Sequence, residues 1–193
     1  MPNPLVVVIA GPNGAGKSTM APRLLQGALA VTEFVNADTI AQGLSAFHPE
    51  SVELSAGRAM LARLRSLANA RVDFAFETTL ASRSFAPWLE ALRGSGYRAH
   101  LAFLSLPNPE VALSRVAERV RVGGHNVPED VVRRRFTGGL KNFFSIYMGV
   151  VDTWQMFDNS KVSRLVLVAS GERECSAEVF ELAAWDNLRE RGA

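Results

Sequence analysis

Gly11-Pro12-Asn13-Gly14-Ala15-Gly16-Lys17-Ser18 satisfies the pattern G-x-x-x-x-G-K-[ST], and the residues on either side give it the setting that pattern requires. Leu5 to Ala10 is a continuous apolar, mostly β-branched run, as expected of a strand buried on both faces. Helix-forming sequence follows from Lys17. Strand, glycine loop and helix together make a phosphate-binding loop. The glycines let the backbone curl so that successive N–H groups point at phosphate oxygens, and the helix N-terminus adds partial positive charge. The expected contacts run through Gly11, Pro12, Asn13, Gly14, Ala15, Gly16, Lys17, Ser18 and Thr19. Lys17 would reach the β- and γ-phosphates of a nucleotide, and the Ser18 hydroxyl would ligate Mg²⁺.

Outward from the loop, strand signals alternate with helix signals. Apolar runs recur at Phe34–Val35, Val72–Phe76, His100–Leu106 and Arg164–Ala169. Between them, Ser51–Ala70 has near-helical periodicity, and Phe85–Arg93 reads as a short helix stopped by glycine. Pro109 and Pro128 each open another helix, and Ser176–Arg189 reads as a closing helix. Alternation at these lengths predicts an α/β fold of the P-loop NTPase type. The expectation is a three-layer α/β/α sandwich with a mostly parallel five-stranded sheet and a helical lid near residues 115–137. The 193 residues suit one domain.

Bulk composition narrows the classes of function. The net charge is +2, so the whole chain has no strong polyanion footprint and a nucleic-acid partner is not expected. No apolar run approaches the ~20 residues that span a bilayer, so no membrane partner is expected. The one cysteine, Cys175, fits a reducing, cytoplasmic compartment and reads as a small residue near a helix start. No His/Cys cluster has metal-ligand spacing. The guanine-reading N-K-x-D and the transporter signature L-S-G-G-Q are absent, and no strand ends in Asp-Glu. That profile favours a small-molecule phosphotransferase over a mechanochemical ATPase.

Such sheets bind ligands at the carboxyl ends of their strands, which makes the residues leaving each strand the candidates for chemistry. Asp38, after Phe34-Val35-Asn36-Ala37, either accepts a proton from a substrate hydroxyl or caps the following helix. Glu77, at the end of Val72–Phe76, can hold Mg²⁺ through water, bind a substrate hydroxyl, or serve as a capping or surface residue. Thr78 and Thr79 can donate to phosphate or cap the next helix. Arg115, Arg119 and Arg121 precede Gly123-Gly124-His125, and Arg133, Arg134 and Arg135 follow Pro128. Two arginine-bearing helices meeting at a glycine hinge suit a lid that closes on phosphates, or else a solvated basic face. Arg119 and Arg121 lie two apart and cannot share one helix face. His125 reads as a lid contact or turn residue.

Taken in order, several segments resemble the zeta toxin family of P-loop kinases, in particular its short bacterial members. They are AGPNGAGKST at Ala10–Thr19, FVNADTIA at Phe34–Ala41, HPE at His48–Glu50, AGRAM at Ala56–Met60 and FAFETTLASR at Phe74–Arg83. GYRAHLAFLSL at Gly96–Leu106, RVAERVRVGGHNVPEDVVRRRF at Arg115–Phe136 and DNS at Asp158–Ser160 complete the series. The resemblance implies ATP- and Mg²⁺-dependent phosphorylation of a hydroxyl. In well-known members that hydroxyl is the 3′-hydroxyl of UDP-N-acetylglucosamine; related members act on other nucleotides, including nicotinamide nucleotides. By motif position it implies Lys17 and Ser18 on phosphates and metal, Asp38 as general base, and Glu77 on substrate. Arg119 or Arg121, with Arg134, match the lid arginines. It also implies a small antitoxin protein as partner. An ATP-binding regulatory module with slow hydrolysis is the alternative of another class; it would need neither Asp38 nor Glu77.

Overall fold

The computed structural model describes residues 3–26, 29–124, 126–161 and 164–193. His125 therefore lies outside the described residues. Seven strands form one sheet in the order β2-β3-β1-β4-β5-β6-β7. The strands are β1 (Leu5–Ala10), β2 (Glu33–Val35), β3 (Phe74–Thr78), β4 (Arg98–Ser105), β5 (Thr153–Lys161), β6 (Arg164–Glu172) and β7 (Glu178–Val179). The first five strands in that order, through β5, pair in parallel, and β6 and β7 add antiparallel. This is the expected P-loop NTPase-like α/β fold, with a sheet two strands wider than the five expected.

The two differences have physical causes. Thr153–Lys161 mixes Trp154, Met156 and Phe157 with Gln155, Asp158 and Asn159, so no continuous apolar run marks it. It becomes a strand because β4 pairs along one side and β6 along the other. The stretch expected to begin the closing helix at Ser176 instead forms β7, which pairs with Ala169 and Ser170; the helix starts at Leu182. Cys175 accordingly sits exposed before a short strand, not beside a helix start.

β1 shows why its whole run is apolar. Val6 and Val8 enter the core on one face, and Val7 and Ile9 enter the core on the other. Strand side chains alternate, so a strand covered on both sides has no solvent-facing position. The first core packs against α3 (Glu53–Ala70), α4 (Phe85–Gly94) and α8 (Leu182–Gly192). The second packs against α1 (Lys17–Leu25), α5 (Pro109–Arg121) and α6 (Glu129–Asn142). A π-helical turn at Phe143–Tyr147 continues α6 into the short α7 (Met148–Val150). Helix α2 (Ala37–Leu44) follows β2.

The glycine pair after Arg121 ends α5. Gly123 N–H donates to Val120 O at 3.0 Å and Gly124 N–H to Arg119 O at 2.9 Å, with Gly123 at φ +85°. These are the paired bonds of a Schellman motif, which a residue with a Cβ closes at a steric cost. No helix among the described residues is long and apolar enough to cross a membrane.

Candidate active site

The chain leaves β1 at Ala10 between two neighbours, β3 and β4, and turns directly into the glycine loop. Register sets what flanks the loop: Ile9 pairs with Glu77 and Ala10 with Thr78. The carboxylate and hydroxyl at the end of β3 thus emerge beside the loop at the carboxyl edge of the sheet.

Inside the loop, Lys17 is almost fully buried. Its ammonium donates to Pro12 O at 3.0 Å and stands 3.5 Å from Glu77 Oε1. Burial pushes the Lys17 pKa down; the carboxylates of Glu77 and Asp38 pull it back up. Ser18 Oγ donates to Glu77 Oε2 at 2.7 Å. Thr19 is exposed on the first turn of α1. Asn13 is buried, and its Oδ1 has no hydrogen-bond partner among the described residues. A buried amide oxygen left unpaired on the wall of the cleft suits a site built to receive a polar ligand.

Asp38 sits in the first turn of α2 without capping it. The cap is Asn36, whose Oδ1 accepts from Asp38 N–H at 2.8 Å and Thr39 N–H at 3.3 Å. The Asp38 carboxylate is left to the cleft, half exposed, with Arg119 Nη1 3.7 Å from Oδ2. Thr78 Oγ1 accepts from Leu80 N–H at 3.1 Å, which fixes the turn after β3. Thr78 and Thr79 both line the cleft.

Two adjoining hollows of about 210 and 170 Å³ make up this cleft and share Asn13, Ala37, Asp38 and Arg135. Lys17, Asn36 and Glu77 line the first; Glu53 and Val127 line the second. A wider hollow of about 580 Å³ lies at the opposite edge of the sheet, lined by His100, Thr153 and Glu172, and includes no loop residue.

The arginines separate by helix geometry. Arg119 faces Asp38, whereas Arg121, two residues on, pairs with Glu118 at 2.8 Å on the exposed surface. Arg133 ties α6 to α5 through Glu110 at 2.8 Å and also meets Glu129. Arg134 is exposed, and Arg135 reaches the cleft wall. Successive helix positions point about 100° apart, so three adjacent arginines cannot share one task. Arg115 turns away from the cleft: it donates to Asn159 O at 2.9 Å, Ser160 O at 2.7 Å and Gly14 O at 3.5 Å.

The structure thus brings together Lys17, Ser18, Asp38, Glu77, Thr78 and Arg119. It does not bring Arg121 or Arg134 to them. Asn36 and Asn159 were given no individual role in the sequence, and Arg115, read there among the arginines of a lid or a solvated basic face, instead braces the loop from outside the cleft. Asn36 carried a usable signal, since Asn is as good a cap as Asp and stands one residue before the helix. The set Ser18 hydroxyl plus Glu77 carboxylate is all oxygen, which fits a hard cation such as Mg²⁺. Among the described residues no group of three or more His, Cys, Asp and Glu could hold a metal alone. Such an ion would therefore also need ligands from substrate or water.

Comparison with known proteins agrees with this architecture. The family model described as an AAA domain matches residues 6–144. An uncharacterized protein of Haemophilus influenzae (strain ATCC 51907 / DSM 11121 / KW20 / Rd) is 28% identical over 130 residues, covering 67% of this chain and 91% of that one. Among solved structures, the AvrRxo1-ORF1:AvrRxo1-ORF2 complex with sulphate ions superposes with a TM-score of 0.79 over 100% of this chain at 16% identity. The same complex with ATP gives a TM-score of 0.75 at 18% identity, again over 100% of this chain. This chain spans 65% of the length of each of those matched chains. The PezAT chromosomal toxin-antitoxin system of Streptococcus pneumoniae gives 0.69 at 15% identity, over 97% of this chain and 78% of that one. These structural likenesses are likenesses of fold.

Proposed function

The chain belongs to the AAA domain family, and from that membership and the geometry of the cleft we propose that it is an ATP-dependent phosphotransferase acting on a hydroxyl of a small nucleotide-type acceptor. One observation carries the reading. A buried lysine of the glycine loop, a carboxylate (Glu77) hydrogen-bonded by the Ser18 hydroxyl in a pair fit for Mg²⁺, and a second carboxylate (Asp38) line one cleft, Ser18 standing behind Glu77. A module that only binds nucleotide does not need a cleft carboxylate such as Asp38, whose side chain is not the cap of its helix.

Donor and acceptor occupy different parts of the cleft. The loop N–H groups and Lys17 hold the donor phosphates. Ser18 and Glu77 would hold Mg²⁺, which would supply positive charge against the donor phosphates. Asp38 orients the acceptor hydroxyl and takes its proton late, as a loose transition state allows. Arg119 and Arg135 supply positive charge to the transferring group. The cleft-side ends of α5 and α6, which carry Arg119 and Arg135, act as the lid, keeping water from competing as acceptor.

The zeta-like motifs make the 3′-hydroxyl of UDP-N-acetylglucosamine the first acceptor to test, with nicotinamide nucleotides and nucleosides after it. They also make a small antitoxin protein the expected macromolecular partner. The test is incubation with γ-labelled ATP, Mg²⁺ and a panel of sugar nucleotides, nicotinamide nucleotides, nucleosides and oligonucleotides. A labelled small-molecule product is expected. Label released only as inorganic phosphate, whatever the acceptor, would return the chain to the regulatory class.

A further inference from the structure

We propose that Asn36 is a positioning residue that couples the metal end of the cleft to the base end, an inference that rests on the kinase reading above. The amide is used in full. Its Oδ1 accepts from the N–H groups of Asp38 and Thr39 at 2.8 and 3.3 Å. Its Nδ2 donates to Glu77 Oε2 at 2.8 Å and to Ser18 Oγ at 3.2 Å. One buried side chain therefore touches the phosphate-loop helix, the end of β3 and the first turn of α2.

The chemistry requires an amide here. The cap needs an acceptor and the Glu77 carboxylate needs a donor. Asp and Ser share the capping preference of Asn, but Asp has no donor, and the Ser side chain is too short to reach Glu77 while capping. Glu77 Oε2 receives two donors, Ser18 and Asn36, so its position is fixed before any cation arrives. The Ser18 oxygen, by contrast, accepts only the longer Asn36 bond, the weaker of the two that Nδ2 makes. That leaves Ser18 Oγ a second lone pair for a cation, so both the Asn36–Glu77 bond and the Asn36–Ser18 bond are compatible with a bound metal. Asn36 thereby keeps Asp38 and Glu77 in a set relation whether or not the metal is bound. Groups that orient metal ligands typically govern about 10–100-fold in affinity or activity.

Two substitutions separate the arms. Asn36→Ser keeps an oxygen for the Asp38 and Thr39 amides and loses the donor to Glu77 and Ser18. Asn36→Ala loses both. The readouts are thermal melting, Mg²⁺ titration of binding of a fluorescent ATP analogue, and kcat with the labelled acceptor. For Asn36→Ser we expect a melting temperature near wild type, unchanged metal-free nucleotide affinity, and Mg²⁺ dependence shifted about tenfold toward higher concentration. For Asn36→Ala we expect that same shift, a lower melting temperature, and a further fall in kcat of about tenfold at saturating Mg²⁺, since Asp38 loses its anchor. Wild-type Mg²⁺ dependence in Asn36→Ser overturns the proposal, as does an Asn36→Ala kcat at saturating Mg²⁺ equal to that of Asn36→Ser. The Mg²⁺ titration needs no phosphoryl transfer. A failure of the kinase reading therefore shows as absent product with the Mg²⁺ shift retained, and a failure of the coupling shows as the converse.

Discussion

Arg119 Nη1 stands 3.7 Å from Asp38 Oδ2 across the cleft, joining α5 to the first turn of α2. Both partners are substantially exposed, so the pair adds little to stability. Its consequence lies in placement: the carboxylate proposed to meet the acceptor and a cation proposed to meet the phosphoryl group are already neighbours. Asp38→Asn keeps the shape and removes the base. Product formation is expected to fall by about 10²–10⁴-fold, with ATP affinity retained when measured by equilibrium titration. Undiminished transfer would refute the base assignment.

Lys17 is held by Pro12 O and Glu77. Lys17→Ala removes a charge-assisted contact to the donor phosphates. Nucleotide affinity is expected to weaken by a factor of about 10–100, read by calorimetry. Folding should survive, because the same change also removes a buried charge.

Arg134 and Arg135 differ by one position and point to different surroundings. Arg135→Ala is expected to lower kcat by about 10²–10³-fold, the usual loss for a donor aimed at developing charge. Arg134→Ala should leave kcat near wild type and stability within about 0.5 kcal/mol. Steady-state kinetics of the two variants side by side decide between the registers.

Tyr147 donates its hydroxyl to Ser82 O at 2.7 Å from a fully buried position, and burial pushes its pKa up to about 12. Because the folded value exceeds the unfolded value of about 10, its contribution is complete below pH ~10 and is lost as pH rises toward ~12. Two pH units correspond to roughly 2–3 kcal/mol. Urea melts between pH 9 and 12 should show this decline in wild type and a smaller one in Tyr147→Phe. The variant should also be weaker by about 1–3 kcal/mol at neutral pH, since Ser82 O is left unpaired.

How far the sequence carries depends on what each residue answers to. The loop and β1 were legible because local pattern and tertiary role coincide: a strand buried on both faces must be apolar throughout. β5 was not, because Gln155, Asp158 and Asn159 obscure a strand that exists through its two neighbours. β7 is two residues long and rests on pairing with β6. At Asn36-Ala37-Asp38 the sequence offered two equally good caps, and only the helix start separates them. The arginine register was recoverable in part. Val132, Phe136 and Leu140 are buried at helical spacing, which turns Arg134 to the opposite side and leaves Arg135 at the flank. Motif matching by region overlooks that rotation.

Arg115 adds a consequence for the loop itself. A peptide unit that aims its N–H inward must aim its C=O outward, so an anion-binding loop has an outer rim of acceptors as demanding as its inner rim of donors. Arg115 reaches Gly14 O and Asn159 Nδ2 reaches Ala15 O, while the same guanidinium clasps the chain at Asn159 and Ser160. The curl of the loop is therefore clamped from behind, by two side chains that are not among those lining the cleft.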